Sequence, residues 1–194
     1  MEKAMDTLSS EFEFRVRWEP YMLRPQTPPE GLPIPDGYRD PNNPRVQYLR
    51  SVASSLGLDF NTNRKMFAST MTGHALLEYA KQVDDGDKQD DVAEKLFKKC
   101  FTDADDLQVD TCVNIAGECG LDKEKAREYI QDERNLNSVF NKAMSWSNRG
   151  ISGVPTFYFN GQKMFSGAQE SDVFQHMFKV VAEKYPVDPP ASKS

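Results

Sequence analysis

Apolar and polar positions along the chain change period several times, and each change marks a boundary. Residues 2 to 9 put Met1 and Met5 on one helical face with nothing ahead of Glu2 to cap it, which reads as the later part of a helix. Phe12, Phe14, Val16 and Trp18 then alternate with Glu13, Arg15 and Arg17, and this period of two predicts an edge strand with one buried and one wet face. Eight of the twelve prolines follow between Pro20 and Pro44, with Gly31 and Gly37 among them, a composition that resists helix and sheet and predicts a long loop.

Beyond the loop the period moves to about 3.6 and predicts a series of short amphipathic helices. Val46, Leu49, Val52, Ala53 and Leu56 form one apolar face that stops at Gly57; Leu76, Leu77, Ala80 and Val83 form another that stops near Gly86. Val92, Leu96, Phe97 and Phe101 follow, then Val109, Cys112, Val113 and Ala116, closed by Gly120. Asp122 is placed to cap the next helix, which buries Ala126, Tyr129 and Ile130. A longer one with Leu136, Val139, Phe140, Ala143 and Met144 ends at Gly150. Helix lengths and spacings differ, so this is no repeat array.

From Ile151 the pattern changes again. Thr156 to Phe159 and Lys163 to Phe165 flank Asn160-Gly161, the strongest short-range signal for a hairpin with a type I′ turn. A last helix carries Val173, Phe174, Met177, Phe178 and Val181 on one face, and residues 186 to 194, with three prolines and no apolar cluster, read as a disordered tail. The order of helix, strand, helical block, hairpin and helix describes an α/β protein with an all-helical insertion. Residues 1–45 and 150–185 are expected to form the α/β domain, with 46–149 inserted.

Composition narrows the function classes. The 194 residues are 38% hydrophobic, enough for one core, and the net charge of −6 is spread without a basic stripe that could neutralise phosphates, so nucleic acid is not an expected partner. No window reaches the roughly 18 apolar residues of a membrane span, and no membrane association is expected. Cys100, Cys112 and Cys119 are odd in number and sparse, unlike a secreted disulfide scaffold or a zinc site, and point to a reducing, cytoplasmic setting with no metal. On one helix, Cys112 and Cys119 would lie about 10 Å apart, out of disulfide reach, and both read as core thiols; Cys100 follows two lysines that could activate it, yet it sits at a helix end, where the dipole opposes a thiolate.

Three stretches carry a resemblance. Val16-Arg17-Trp18-Glu19-Pro20-Tyr21-Met22-Leu23-Arg24-Pro25 with Pro28-Pro29-Glu30-Gly31, then Gly150-Ile151-Ser152-Gly153-Val154-Pro155-Thr156-Phe157, then Phe165-Ser166-Gly167-Ala168-Gln169, with Thr70 and His74 between them, are similar to the FrnE-type branch of the DsbA-like thioredoxin-fold proteins. These are relatives of the 2-hydroxychromene-2-carboxylate isomerases and kappa-class glutathione transferases. The resemblance spans essentially the whole chain. It implies a thioredoxin-like fold with a helical insertion and thiol-disulfide exchange as the family's activity. In that family a strand and a Cys-Pro-Trp-Cys motif precede the region that Glu2 to Leu8 resembles. The expectation is therefore an N-terminally truncated form lacking its first strand, the start of its first helix and any catalytic residue, with an incomplete sheet.

The same resemblance names the candidate binding residues. Pro155 stands where the family has a cis-proline, and Val154 where its main chain pairs with an extended peptide or with glutathione. Ser166 to Gln169 are expected to open the last helix, where free N–H groups suit a carboxylate; an ordinary Ser cap explains the same letters. His74 falls at the border of an apolar helical face, either near the groove or as a hydrogen-bonded structural residue; Ser69 and Gly73 depart from the family pattern around it. His176 reads as a surface residue. No bound cofactor is implied, with glutathione a candidate ligand and peptide or protein thiols the candidate partners. Two further readings stay open: a non-catalytic peptide- or glutathione-binding module, and a glutathione-dependent transferase or isomerase of the kappa-like branch.

Overall fold

The computed structural model describes residues 1–62 and 64–187. Its elements run α1 (Glu2–Thr7), β1 (Leu32–Pro33), α2 (Pro44–Ser55), β2 (Met66–Phe67), α3 (Met71–Gln82), α4 (Gln89–Phe97), α5 (Val109–Glu118), α6 (Lys123–Gln131), α7 (Glu133–Asn148), β3 (Thr156–Phe159), β4 (Gln162–Ser166) and α8 (Ser171–Lys184). The fold is thioredoxin-like and helix-rich. Its strands form two antiparallel pairs, β1 with β2 and β3 with β4. Two compact units result: Met1–Val16 with the chain from Ser147 onward, and Arg17–Trp146.

The helical unit is built on α3. Ala75, Leu76 and Ala80 of α3 are fully buried with Val92 of α4, Cys112 and Ala116 of α5 and Ala126 of α6. Burying a side chain such as Leu76 contributes about 2 kcal/mol. Asp122 caps α6 as its position predicts, its side chain accepting from Glu124 N (3.0 Å) and Lys125 N (3.1 Å). Gly120, at φ +80°, lets the chain leave α5 in the left-handed region.

In the other unit α1 packs on α8. An aromatic cluster fills the space between α8 and the hairpin: Phe174 lies 4.9 Å from Phe157 and 5.2 Å from Phe165, and Phe178 lies 4.9 Å from Phe159. Phe14 joins at 4.8 Å from Phe178.

Several expectations need correction. Phe12 to Trp18 forms no strand. The alternation does sort the side chains, with Phe12, Phe14 and Val16 half-buried and Glu13 and Arg15 exposed, but it reports environment and cannot supply a ladder partner. The helical unit begins at Arg17, not at residue 46, because Trp18 and Glu19 are tied to α3, α4 and α7. The proline-rich loop does contribute to a sheet: Leu32–Pro33 pairs with Met66–Phe67, and Gly31 is required beside it, since a Cβ there would stand 2.7 Å from Phe67 O. On α2 only Val46 and Ala53 are buried, while Leu49, Val52 and Leu56 face outward. The predicted tail lies outside the described residues from position 188 on; Pro186 and Val187 carry no regular structure.

Candidate functional site

The segment from Gly150 to Gly167 is shaped by its turns. Asn160 (φ +47°) and Gly161 (φ +79°) both take the positive φ that a type I′ turn demands, and they set the register Thr156↔Ser166, Phe157↔Phe165, Phe159↔Gln162. A bulge between Phe157 and Tyr158 interrupts the ladder. Ile151 is buried and anchors the approach to β3.

Between that anchor and β3 the Val154–Pro155 peptide bond is cis. Both residues are exposed, Val154 at 49%. Their surroundings are pinned: Pro155 O accepts from Gly167 N at 2.8 Å, and the Thr156 hydroxyl donates to Gly153 O at 2.9 Å. Its lone pair is left for the Ser166 hydroxyl, 2.9 Å away. Among the described residues the N–H and C=O of Val154 have no hydrogen-bond partner, and β3 has a ladder neighbour on one side only.

Val154, Pro155 and Ser166 are thus brought together. Ser166 does not open the last helix, however. It is the final residue of β4, held there by its pairing with Thr156, and Gly167 at φ +89° turns the chain away. α8 starts at Ser171 after Glu170, which makes no side-chain cap; Gln169 is an exposed residue of the connection.

His74 lies in the helical unit, on the first turns of α3. Burial pushes its imidazole down to about 4, opposed by a hydrogen bond to the Tyr21 main chain. At neutral pH it is an uncharged ring that fastens the Pro20–Leu23 segment to α3. His176 is exposed on α8.

Burial holds the Cys112 thiol up at about 12, and the S–H points to Leu107 O at 3.5 Å; burial likewise raises Cys119. Cys100 is half-buried in a π-turn (Lys98–Thr102) that continues α4, and Arg64 Nη1 donates to its Sγ at 2.9 Å. All three cysteines are free. Among the described residues no group of three or more His, Cys, Asp or Glu could hold a metal, and no helix is long and apolar enough to cross a membrane.

Two polar devices of the helical unit carry no sequence signal. Gln89, fully buried, bonds the main chain of Trp18. Glu19, Glu78, Lys81 and Lys142 form one alternating network: Lys142 Nζ lies 2.7 Å from Glu19 and 3.0 Å from Glu78, and Lys81 meets Glu19. Burial by itself would raise the Glu19 carboxyl, but the bonds from Lys142 and Lys81 bring it below its ordinary value.

A cis-proline loop leading into a hairpin, a helix packed on that hairpin and a separate helical unit define a thioredoxin-like protein with an inserted helical domain. The chain belongs to the DSBA-like thioredoxin domain family, whose model matches residues 1–179. It is 25% identical over 172 residues to the uncharacterized protein YwbO of Bacillus subtilis, covering 84% of this chain and 80% of that one. The crystal structure of a probable DsbA oxidoreductase from Streptomyces coelicolor superposes with a TM-score of 0.74 at 21% identity, covering 100% of this chain and 86% of the other, which shows the shared fold.

Proposed function

We propose that the protein serves the thiol-disulfide chemistry of its family as a member of the FrnE-type branch, and that these 194 residues hold an extended polypeptide at Val154–Pro155 without exchanging a disulfide themselves. The observation that carries the reading is the pair of main-chain groups on Val154 without a partner among the described residues, exposed at the entry to β3. Such groups accept an added strand: the ligand's main chain supplies the bonds, and its side chains meet the flanking surface. Glutathione, itself a short extended peptide with a central thiol, competes for the same edge.

The thiols support the second half of the reading. Exchange needs an accessible thiolate with a resolving partner. Cys112 and Cys119 are buried with raised pKa values, and Cys100, Cys112 and Cys119 contain no Cys-x-x-Cys spacing. Three free thiols also fit a reducing compartment, and we place the protein in the cytoplasm on that ground.

Titrating an extended cysteine-containing peptide and glutathione into the labelled protein tests the first half. Shifts should centre on Val154 to Thr156 and vanish in Val154→Pro, which removes the donor while breaking no internal bond. Unchanged binding by that variant overturns the docking edge. The insulin reduction assay tests the second half; sustained turnover by this chain overturns it.

A further inference from the structure

The helical unit carries an exposed surface that neither the Val154–Pro155 edge nor its chemistry uses. Along α2, Leu49, Val52 and Leu56 are 39%, 38% and 68% exposed, and Leu58 beyond it is 61% exposed. Spacings of three and four put the first three on one side of the helix, next to the line of Val46 and Ala53 that is buried. A helix normally turns such a stripe toward a core. Here Leu49 borders a groove instead, while Val52 and Leu56 stay open to solvent. One hollow of about 350 Å³ is lined by Pro35, Tyr38, Val46, Leu49 and Phe60, with Arg45 at its rim. An adjoining, more open trough of about 720 Å³ shares Phe60 and adds Leu58, Arg50 and Asp59. The apolar surface runs on past Phe60, which stacks on Phe101 at 6.0 Å, and Phe101 lies 6.2 Å from Phe97; Phe97 and Phe101 are each 45% exposed.

Charge selects the occupant. From Pro44 to Met66 the chain has Arg45, Arg50, Arg64 and Lys65 against the single carboxylate of Asp59, within a protein of net charge −6. None of these four cations pairs with a carboxylate among the described residues: Arg50 donates to the Thr62 hydroxyl, and Arg64 to the carbonyl and sulfur of Cys100. Several cations elsewhere on the helical unit do find carboxylates, as Lys95 does in Glu118 and Arg127 in Asp110. A second copy packed isologously would set Arg45 and Arg50 against themselves. Nucleic acid would waste the leucines, because its affinity comes from phosphate contacts.

We propose that the groove between α2 and the Leu58–Thr62 segment docks an acidic, apolar segment of a partner polypeptide. Its leucine or aromatic side chains enter the hollow around Leu49 and Phe60, and its carboxylates meet Arg45 and Arg50. The surface lies within the helical unit and stands whether or not the Val154–Pro155 edge binds peptide.

Fluorescence anisotropy on the full chain decides it, with a short labelled peptide that alternates glutamates with leucines at helical spacing. The controls are the same peptide with every Glu replaced by Lys, and a single-stranded oligonucleotide. The acidic peptide should bind at least about tenfold tighter than the basic one, and weaken with salt. R45E/R50E should reverse that preference, and Leu49→Ser should weaken binding of the acidic peptide about tenfold. A carboxylate at position 45 sits in the first turn of α2, where the helix dipole favours it, so folding is preserved. Should the double charge reversal unfold, R45Q/R50Q carries the same test, with loss of the acidic preference as the expected result. Equal binding of the two peptides, indifference to the arginine changes, or preference for the oligonucleotide overturns the proposal. So does a dimer in sedimentation velocity that Leu56→Glu dissolves while no peptide binds. Val154→Pro should leave this binding intact, which separates its failure from failure of the docking edge.

Discussion

The carboxamide of Gln89 closes both main-chain hydrogen bonds of Trp18, its Oε1 accepting from Trp18 N and its Nε2 donating to Trp18 O, each at 2.9 Å. The same Nε2 reaches Leu77 O at 3.1 Å, and the Trp18 indole donates to Asp90 at 2.7 Å. One buried side chain thereby does for Trp18 what a neighbouring strand would do, and it fastens the start of the helical unit to α3 and α4. Gln89→Leu leaves these main-chain groups without partners and should cost about 2–4 kcal/mol in denaturant unfolding. Gln89→Glu keeps the shape but turns an acceptor toward two carbonyls, so it should cost at least as much. Two mild variants would show that Trp18 is held by packing alone.

The network around Lys142 makes a second measurement. Lys142 touches both Glu19 and Glu78, and Glu78 is buried. Lys142→Met should cost about 1–3 kcal/mol, below the roughly 3–5 kcal/mol of breaking a fully buried pair because the ammonium is partly exposed. Adding Glu78→Gln should restore part of that loss, since the buried carboxylate left with only Lys81, at 3.8 Å, is then gone. A double variant no more stable than Lys142→Met would assign the loss to packing of the lysine stem.

What could be read from the letters was what repeats locally. The apolar spacing of Leu76, Ala80 and Val83, the stop at Gly120, the cap at Asp122 and the Asn160-Gly161 turn each act within a few residues, and each has its predicted place. Partners distant in sequence left no such trace. Nothing in Leu32–Pro33 announces Met66–Phe67, and nothing in Gln89 announces Trp18. The same limit explains the misplaced start of the last helix: Ser-Gly-Ala-Gln has the composition of a cap, but cross-strand pairing with Thr156 claims Ser166 for β4. On α2 the stripe was legible and its burial was not, because spacing shows that a face is apolar without showing what covers it.

His74 should make stability depend on pH in a defined window. Its folded-state pKa lies near 4, against an ordinary 6.5, with burial as the cause. As pH falls below 6.5 the unfolded chain takes up this proton before the folded one does. The stabilisation from the neutral ring is therefore complete above that value and is lost as pH drops toward 4. The loss should amount to about 1–3 kcal/mol, moderated because the ring is only half-buried. Glu19, whose pKa is lowered from 4.5, keeps its contribution until the pH falls below that value and so acts outside this window. Urea midpoints near pH 7.5 and near pH 5 should converge in His74→Gln. A variant that keeps the full wild-type difference would place the sensitivity elsewhere.

The three thiols should separate by reactivity. Cys112 is 0% exposed with a thiol pushed up to about 12, and Cys119 is 7% exposed with its thiol raised as well. Alkylation requires an accessible thiolate, so neither should react until α5 opens. Cys100 is half-buried, in a turn outside that core. Native protein treated with iodoacetamide and mapped by mass spectrometry should carry the label on Cys100 alone. Cys112 and Cys119 should follow only as denaturant reaches the unfolding transition, at rates that track global opening. Early labelling of Cys112 under native conditions would show that α5 detaches from α3 without global unfolding, and the helical unit would then not be a single cooperative core.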